Sequence, residues 1–418
     1  MVLLARRMPT KAHSLVPSMN TVLAILLILI LIPLSALLLY QWFLAVASFF
    51  FRSPAASART AKSHFVILIP AHDEEVGIGS SLESIGRLNY SSTHYHVVVV
   101  ADRCTDDTAT IARKMGAQCF ERSDGQSGKG AALAWGIQQA RNANIPFDAV
   151  VIVDADTVVD RNLLSAFDEK LESGHEVQQG YNYLSNPWST PFTRIIAVTS
   201  TLRNGRYYTG KTVLGIPGML TGTGMCISAE VLNRHGWTAF SVGEDWEFSV
   251  QLLLAGDSIY FNPAARAFAR ESQGLKQASR QRLRWASGRY AIMGEKLWAL
   301  ISTGVRNRSY SLVDEAVTLL APNYSSQASL ALLCLVGSWL VASDPLWTFV
   351  WYWSIGAFIT IAGYFVLGVL STEAPGKALA GLALVPIFLP WRMTIELLGM
   401  MGYGRRHWGR MSRGKVSS

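Results

Sequence analysis

From Thr21 to Phe51 no side chain carries a charge, and most are Leu, Ile, Val, Ala or Phe. About 20 apolar residues in a helix are enough to cross a bilayer core. The stretch is therefore read as a transmembrane helix rather than the core of a soluble domain. It is too long for the apolar region of a signal peptide, and no convincing small-residue cleavage site follows it. Pro33 is a point where it can kink or divide into two shorter inserted helices. The flanks leave orientation open, because Arg6, Arg7 and Lys11 on one side face Arg52, Arg59 and Lys62 on the other. Composition agrees with a partly lipid-embedded chain: 16% of residues are charged, against roughly 25% in ordinary soluble domains.

A different pattern follows a Ser/Ala-rich linker. Val66 to Ile69, stopped by Pro70, Val97 to Val100, and Ala149 to Val153 read as buried strands. Between and around them Gly77 to Leu88, Thr108 to Met115 and Gly130 to Ala140 read as helices. This alternation predicts an α/β domain with a mostly parallel sheet and helices on both faces. The strands end in polar residues, and in open α/β sheets ligands bind at the carboxyl ends of strands. The first end reads Pro70-Ala71-His72-Asp73-Glu74, the second Asp102-Arg103-Cys104-Thr105-Asp106-Asp107-Thr108, the third Asp154-Ala155-Asp156. In extended backbone Asp154 and Asp156 point the same way. Two converging carboxylates are hard oxygen ligands for Mg²⁺ or Mn²⁺, which clamp a diphosphate. Taken alone, Asp-Ala-Asp is more often a solvated turn, and Asp106 and Asp107 suit a helix start. Asp102 sits directly at a strand end and is expected to reach into the crevice.

Further polar groups follow. Gly128-Lys129-Gly130 opens a helix, a setting that favours anions. Thr221-Gly222-Thr223-Gly224 is a turn where backbone approaches a ligand closely. Glu244-Asp245 opens another helix, where acidic residues are favoured by the helix dipole alone. Gln281-Arg282-Leu283-Arg284-Trp285 lies on a basic amphipathic helix, whose simpler reading is an interfacial helix with solvated arginines.

Beyond Leu312 the chain is apolar again. Leu312 to Ala321 reads as an amphipathic, interfacial helix. Ser329 to Ala342 and Leu346 to Leu370 read as spans or near-spans, with Trp347, Trp351, Tyr352 and Trp353 resembling an aromatic belt. Leu379 to Pro390 is short and broken by Pro386 and Pro390. The tail Arg405-Arg406-His407-Trp408-Gly409-Arg410 is expected to stay cytoplasmic. Three full C-terminal spans would put it on the other side, so either one segment is re-entrant or the charge rule fails. The expected organisation is a basic segment 1–20, a transmembrane helix 21–51, a linker 52–63, the α/β domain 64–300, an interfacial region 301–324, membrane segments 325–402 and a basic tail 403–418. The net charge of +8 borders apolar segments and forms no continuous soluble patch, which favours a lipid bilayer over nucleic acid. Cys104, Cys119, Cys226 and Cys334 form no CxxC pair, which suits a reduced, cytosol-facing domain.

The ordered set of Pro70-Ala71-His72-Asp73-Glu74, Asp102, Asp154-x-Asp156, Glu244-Asp245 and Gln281-x-x-Arg284-Trp285 resembles the family 2 glycosyltransferases with the GT-A fold. Within them it resembles the membrane-embedded branch of cellulose, chitin, hyaluronan and poly-N-acetylglucosamine synthases. The likeness covers about Phe65 to Trp285. It implies that Pro70, His72, Glu74 and Asp102 hold the nucleoside of a UDP-sugar, Asp102 facing the uracil. It implies that Asp154 binds the sugar nucleotide and that Asp156 is the direct ligand of Mg²⁺ or Mn²⁺. Asp245 corresponds to the general base, with Glu244 beside the acceptor. Gln281 and Arg284 correspond to diphosphate contacts, Trp285 to an acceptor-sugar contact, and Lys129 fits the diphosphate side. The implied protein is a multi-pass plasma (inner) membrane enzyme with its catalytic domain facing the cytoplasm. It would be an inverting transferase that extends a β-linked extracellular polysaccharide, with export or accessory subunits left open. Transfer of one sugar to a lipid-linked acceptor, as in ceramide glucosyltransferase-like enzymes, is the alternative. A non-catalytic transporter subunit would have broken acidic motifs, and none is broken. The chain departs from the pattern at Asp73, where Asn is common, and at Gly243, where many processive synthases have Thr. Leu220 to Cys226 lacks the Phe-Cys-Gly-Thr motif of cellulose synthases.

Overall fold

The computed structural model describes residues 19–52, 61–339 and 345–404. The basic segment before residue 19, most of the Ser/Ala-rich linker and the tail from Arg405 lie outside the described residues. Eight strands form one sheet: β1 (Phe65–Ala71), β2 (Tyr95–Asp102), β3 (Gln118–Arg122), β4 (Ala149–Ile152), β5 (Thr157–Val159), β6 (Val177–Leu184), β7 (Met225–Ser228) and β8 (Ile259–Ala269). Their order is β3-β2-β1-β4-β7-β6-β8-β5. The helices are α1 (Met19–Ser48), α2 (Ile78–Ile85), α3 (Thr108–Lys114), α4 (Lys129–Asn142), α5 (Leu163–Glu172), α6 (Pro191–Ser200), α7 (Thr209–Val213), α8 (Ala229–His235), α9 (Glu244–Ala255), α10 (Leu275–Arg306), α11 (Tyr310–Leu320), α12 (Tyr324–Trp339), α13 (Pro345–Leu370), α14 (Pro375–Gly381) and α15 (Val385–Met400). A π-helical stretch, Thr201–Tyr208, joins α6 to α7.

The expected parallel sheet is present from β3 to β4. Beyond β4 the sheet is mixed, because β7 runs antiparallel to both β4 and β6, and β5 antiparallel to β8. Side chains alternate between faces along a strand, so one face takes Val66, Leu68, Val98, Val100, Val150 and Ile152 against α4, α8, α9 and α10. The other takes Phe65, Ile67, Ile69, Val99, Val151 and Val153 against α2 and α5. Residues on both faces are buried, which is why these strands read as unbroken apolar runs.

Pro70 does not stop β1, which runs on to Ala71. Pairing with β4 ends at Leu68, whose carbonyl accepts from Val153. Two residues on, Pro70 faces the same vacated side, where no ladder donor is needed.

Three described helices are long and apolar enough to cross a membrane: Asn20–Ser48, Trp347–Leu370 and Pro375–Met400. The pair α11 and α12 passes only if its 68° bend is counted inside one span. Helices α1, α12 and α13 share an apolar cluster that includes Leu31, Leu38, Cys334 and Trp347, and α1 runs unbroken through Pro33. Trp353 Nε1 donates to Ser35 Oγ at 2.9 Å. Helix α15 continues past Pro390 to Met400, longer than the broken segment the two prolines suggest. Helix α11 is amphipathic as expected. Its Leu312, Ala316 and Leu319 enter the α/β core, while Asp314 accepts from the buried Lys211 of α7 at 2.6 Å.

Candidate active site

The parallel strands β1, β2 and β4 deliver their carboxyl ends to one edge, with β1 between the other two. At the end of β2, Asp102 is fully buried rather than reaching into the crevice. The parallel register sets it opposite Arg122 of β3. Its Oδ1 accepts from Arg122 and from Arg103, each at 2.8 Å, and its Oδ2 has no hydrogen-bond partner among the described residues. Arg103 adopts φ +52°, a left-handed conformation costly for a branched-free but bulky side chain. His72, just past β1, donates from Nδ1 to the Asp102 carbonyl at 2.7 Å, which joins the ends of β1 and β2.

Neighbouring acidic groups knit the loops. Asp73, at φ +54°, accepts from Thr105 N at 2.6 Å. Asp106 accepts from Thr108 N and Glu75 N, both at 3.0 Å, in line with its reading as a helix-start residue. Glu74 donates its N–H to Thr108 Oγ1 at 2.8 Å. Asp73, Cys104 and Asp106 bring three ligand atoms within 4.8 Å. Burial raises the Cys104 thiol to about 11, and a protonated thiol is a poor ligand for a hard cation.

The Asp154-x-Asp156 segment is a turn, not extended strand, because β4 ends at Ile152 and Thr157 N donates to Asp154 O at 3.0 Å. Strand alternation therefore does not orient the two side chains, although both carboxylates are half-buried just past the strand end. Asp154 N donates to Thr223 Oγ1 at 3.0 Å. That ties the turn to the Thr221-Gly222-Thr223 loop. The loop is itself held by Gln179, which accepts from Thr221 N at 2.7 Å, and by Asn182, which donates to Thr221 Oγ1 and Thr223 O, both at 2.9 Å.

Lys129 is the centre of this side. Its Nζ lies 2.5 Å from Asp154 Oδ1 and 3.6 Å from Glu244 Oε1, and donates to Gly222 O at 2.6 Å. Gly222 sits at φ +86°, and a Cβ there would meet Asp245 Oδ2 at 3.3 Å and Lys129 Nζ at 3.5 Å. Lys129, Asp154, Glu244 and Asp245 are thus one cluster. Burial raises the Asp245 carboxyl to about 7, and the adjacent Glu244 charge adds to it, while Lys129 opposes both. Glu244 is raised for the same first reason, burial. Burial alone would lower Lys129, but Asp154 and Glu244 more than offset it and hold the ammonium protonated.

Helix α10 brings in the last group. Gly288 and Gly243, which precedes α9, touch: a Cβ on Gly288 would lie 3.1 Å from Gly243 N. That contact sets α10 against the residue that opens α9. Gln281 Oε1 accepts from Ser272 Oγ at 3.4 Å. The Arg284 charge is felt at Glu244, and Trp285 is half-exposed. Asp156 follows Asp154 in the same turn, and Pro70 lies inside β1. Sequence reasoning missed Arg103 and Arg122 as partners of Asp102, and Arg282, whose buried Nη2 pairs with Glu271 at 2.9 Å. Nothing local marks any of them.

A half-parallel sheet whose strand ends collect carboxylates beside Lys129 has the architecture of the GT-A-like fold. The sequence profile described as "Glycosyltransferase like family 2" matches residues 62–288, more than half of the chain; the chain belongs to that family. It is 27% identical over 246 residues to "Probable glycosyltransferase YdaM" of Bacillus subtilis (strain 168), covering 54% of this chain and 55% of that one. It is 24% identical over 244 residues to a poly-beta-1,6-N-acetyl-D-glucosamine synthase of Staphylococcus aureus (strain COL), covering 56% and 57% respectively. The chain thus spans about half the length of the curated relatives it matches. In fold it is similar to the mannosyltransferase PcManGT from Pyrobaculum calidifontis, solved with GDP-Man and Mn2+, at a TM-score of 0.54, 17% identity and coverage of 88% and 99%.

Proposed function

We propose that the chain is a membrane-bound, inverting glycosyltransferase that moves a sugar from a UDP-sugar onto a growing β-linked extracellular polysaccharide. Its catalytic domain would face the cytoplasm at the plasma (inner) membrane. The observation that carries the chemistry is the cluster of Asp245, Glu244, Asp154 and Lys129 around the Gly222 carbonyl. The acceptor hydroxyl must lose a proton as it attacks the anomeric carbon. A carboxyl raised to about 7 is matched to that task near neutral pH. One in-line displacement inverts the anomeric centre, giving a β-linkage from an α-linked donor. Negative charge then gathers on the departing diphosphate, where the Arg284 guanidinium and the Lys129 ammonium stabilise it. Asp154 and Asp156 are carboxylate oxygen donors and suit Mg²⁺ or Mn²⁺. A bound divalent ion supplies further charge neutralisation at the leaving group. The indole of Trp285, half-exposed, offers a flat apolar face to an acceptor sugar. His72, Pro70 and Glu74 are assigned to the nucleoside side, with the buried Asp102 beneath them holding Arg103 and Arg122, and Gln281 to the diphosphate side.

Purified protein in detergent, given a panel of UDP-sugars with Mg²⁺ or Mn²⁺, is expected to release UDP. Asp245→Asn is expected to lower that turnover by about 10²- to 10⁴-fold, the usual worth of a positioned base. Unchanged turnover in Asp245→Asn sinks the mechanism. One contact favours a second reading, a single transfer to a lipid-linked acceptor: the apolar helix α15 lies directly on α10, with Gly399 against Ala286. A polymer ladder supports the first reading, and one extractable glycolipid the second.

A further inference from the structure

The stretch Pro375–Met400, which runs through α14 and α15, is long and apolar enough to cross a membrane, yet its contacts belong to a different kind of helix. We propose that the α14–α15 segment lies on the membrane surface, clamped to α10, with its outer face in the headgroup–acyl boundary on the catalytic domain's side. This rests on the membrane-bound reading above.

The segment touches the catalytic domain from one end to the other. At the end of α14, a Cβ on Gly381 would lie 2.7 Å from Arg194 Cβ of α6. Phe388 and Trp391 pack around Phe192 of α6 at 5.7 and 5.2 Å between ring centres, and Trp391 Nε1 donates to Ser279 Oγ of α10 at 2.9 Å. Glu396 accepts from Arg289 at 2.9 Å and from Tyr290 at 3.1 Å, and pairs with Arg392 at 2.7 Å. A Cβ on Gly399 would meet Ala286 Cβ at 2.6 Å, and one on Gly404 would meet Leu283 Cγ at 3.1 Å. Helix α10 bears Lys276, Arg280, Arg282, Arg284, Arg289, Glu295 and Lys296, so it does not lie in hydrocarbon. A helix that crossed a core of about 30 Å would carry one end away from any partner on the near side. Here Gly381 rests on α6 and Gly404 on α10, so both ends stay on elements joined to the α/β domain. A crossing would also carry Arg392 and Glu396 into the bilayer, at several kcal/mol for each charge.

The outward face has a different composition. Ile387, Leu397, Met400 and Met401 are each more than half exposed. Lipid is the occupant that fits. The face continues the apolar surface of α12, which packs on α15, and the basic run from Arg405 follows in sequence, suited to anionic headgroups. The count of crossings agrees. Gly337 of α12 lies against Leu27 near the start of α1, and Tyr324 at the other end of α12 meets Tyr364 of α13. So α12 and α13 form an antiparallel hairpin beside α1. Arg206 bonds both Ser48 at the end of α1 and Ser371 just after α13, which puts those two ends on the domain's side. With α15 on the surface, the tail remains there, and the opposition between three C-terminal spans and a basic tail disappears.

The test uses the full chain with its four cysteines changed to serine. Single cysteines are introduced at Ser173 on the catalytic domain, at Ser343 between α12 and α13, and at Ser417 in the tail. They are probed with a membrane-impermeant maleimide in right-side-out and inverted vesicles. Ser417→Cys is expected to label from the same side as Ser173→Cys, and Ser343→Cys from the opposite side. Labelling of Ser417→Cys from the side opposite Ser173→Cys overturns the proposal. If the cysteine-free chain fails to fold, a reporter protein fused after Ser418 of the natural chain reads the same side. In phosphatidylethanolamine–phosphatidylglycerol liposomes, nitroxides at Leu397→Cys and Met400→Cys are expected at about 5–10 Å depth, that of an interfacial helix. A depth equal to that of Ile359→Cys in α13, or full water exposure, overturns it. Release of the whole chain by alkaline carbonate overturns instead the membrane reading beneath it.

Discussion

Asp245 and Lys129 set the pH behaviour at the scale of single residues. The Asp245 carboxyl is raised to about 7 by burial and by Glu244, so in the free enzyme it is protonated and idle below that pH. As a base it works only when ionised, so kcat/KM is expected to rise through about pH 7 and level off above it. Lys129 opposes the rise, so Lys129→Met is expected to move the acid limb upward as well as lower turnover. A pH profile of UDP release checks both. Burying an ionised carboxylate costs stability, so unlike most carboxylates Asp245 destabilises the fold as pH rises from about 4 to 7. Arg122 is the second test at this scale. It is buried against a fully buried Asp102, and breaking a buried ion pair costs about 3–5 kcal/mol. Arg122→Gln is expected to lower Tm by several degrees in thermal unfolding, whatever its effect on nucleotide binding.

At the scale of elements, the contact between Gly243 and Gly288 decides where α10 stands relative to α9. Gly288→Val has no room there. It is expected to displace the Gln281–Trp285 turn and reduce UDP release more than tenfold, while the circular dichroism spectrum stays that of the parent. Strands β1, β2 and β4 were legible because both their faces are buried, which leaves an unbroken β-branched run. The far half of the sheet was not. Strand β5 has three residues, and β8 carries Asn262 and Pro263 at a register shift opposite Gly180 and Tyr181. Most of the carboxylates at the site were legible from the residues themselves. Their partners were not, because Arg122 reaches Asp102 only through a pairing register, and Gly222 reaches Lys129 only through tertiary contact. The Asp-x-Asp geometry misled for a local reason: the strand ends two residues before the first aspartate.

The whole molecule is organised by how closely the α/β domain is joined to α1. A Cβ on Gly210 of α7 would lie 2.1 Å from Leu44 O of α1, so the two helix backbones touch with no side chain between them. Leu44 lies in a small core with Tyr207, Tyr208, Met219 and Phe261, and Tyr40 donates to Asp314 of α11. The boundary near residue 60 is therefore one of composition and not of packing. A truncation product beginning at Lys62 would leave that aromatic core open to water. Such a fragment is expected to aggregate in detergent and to elute as a single species in size-exclusion chromatography only when the peptide 19–52 is co-produced with it.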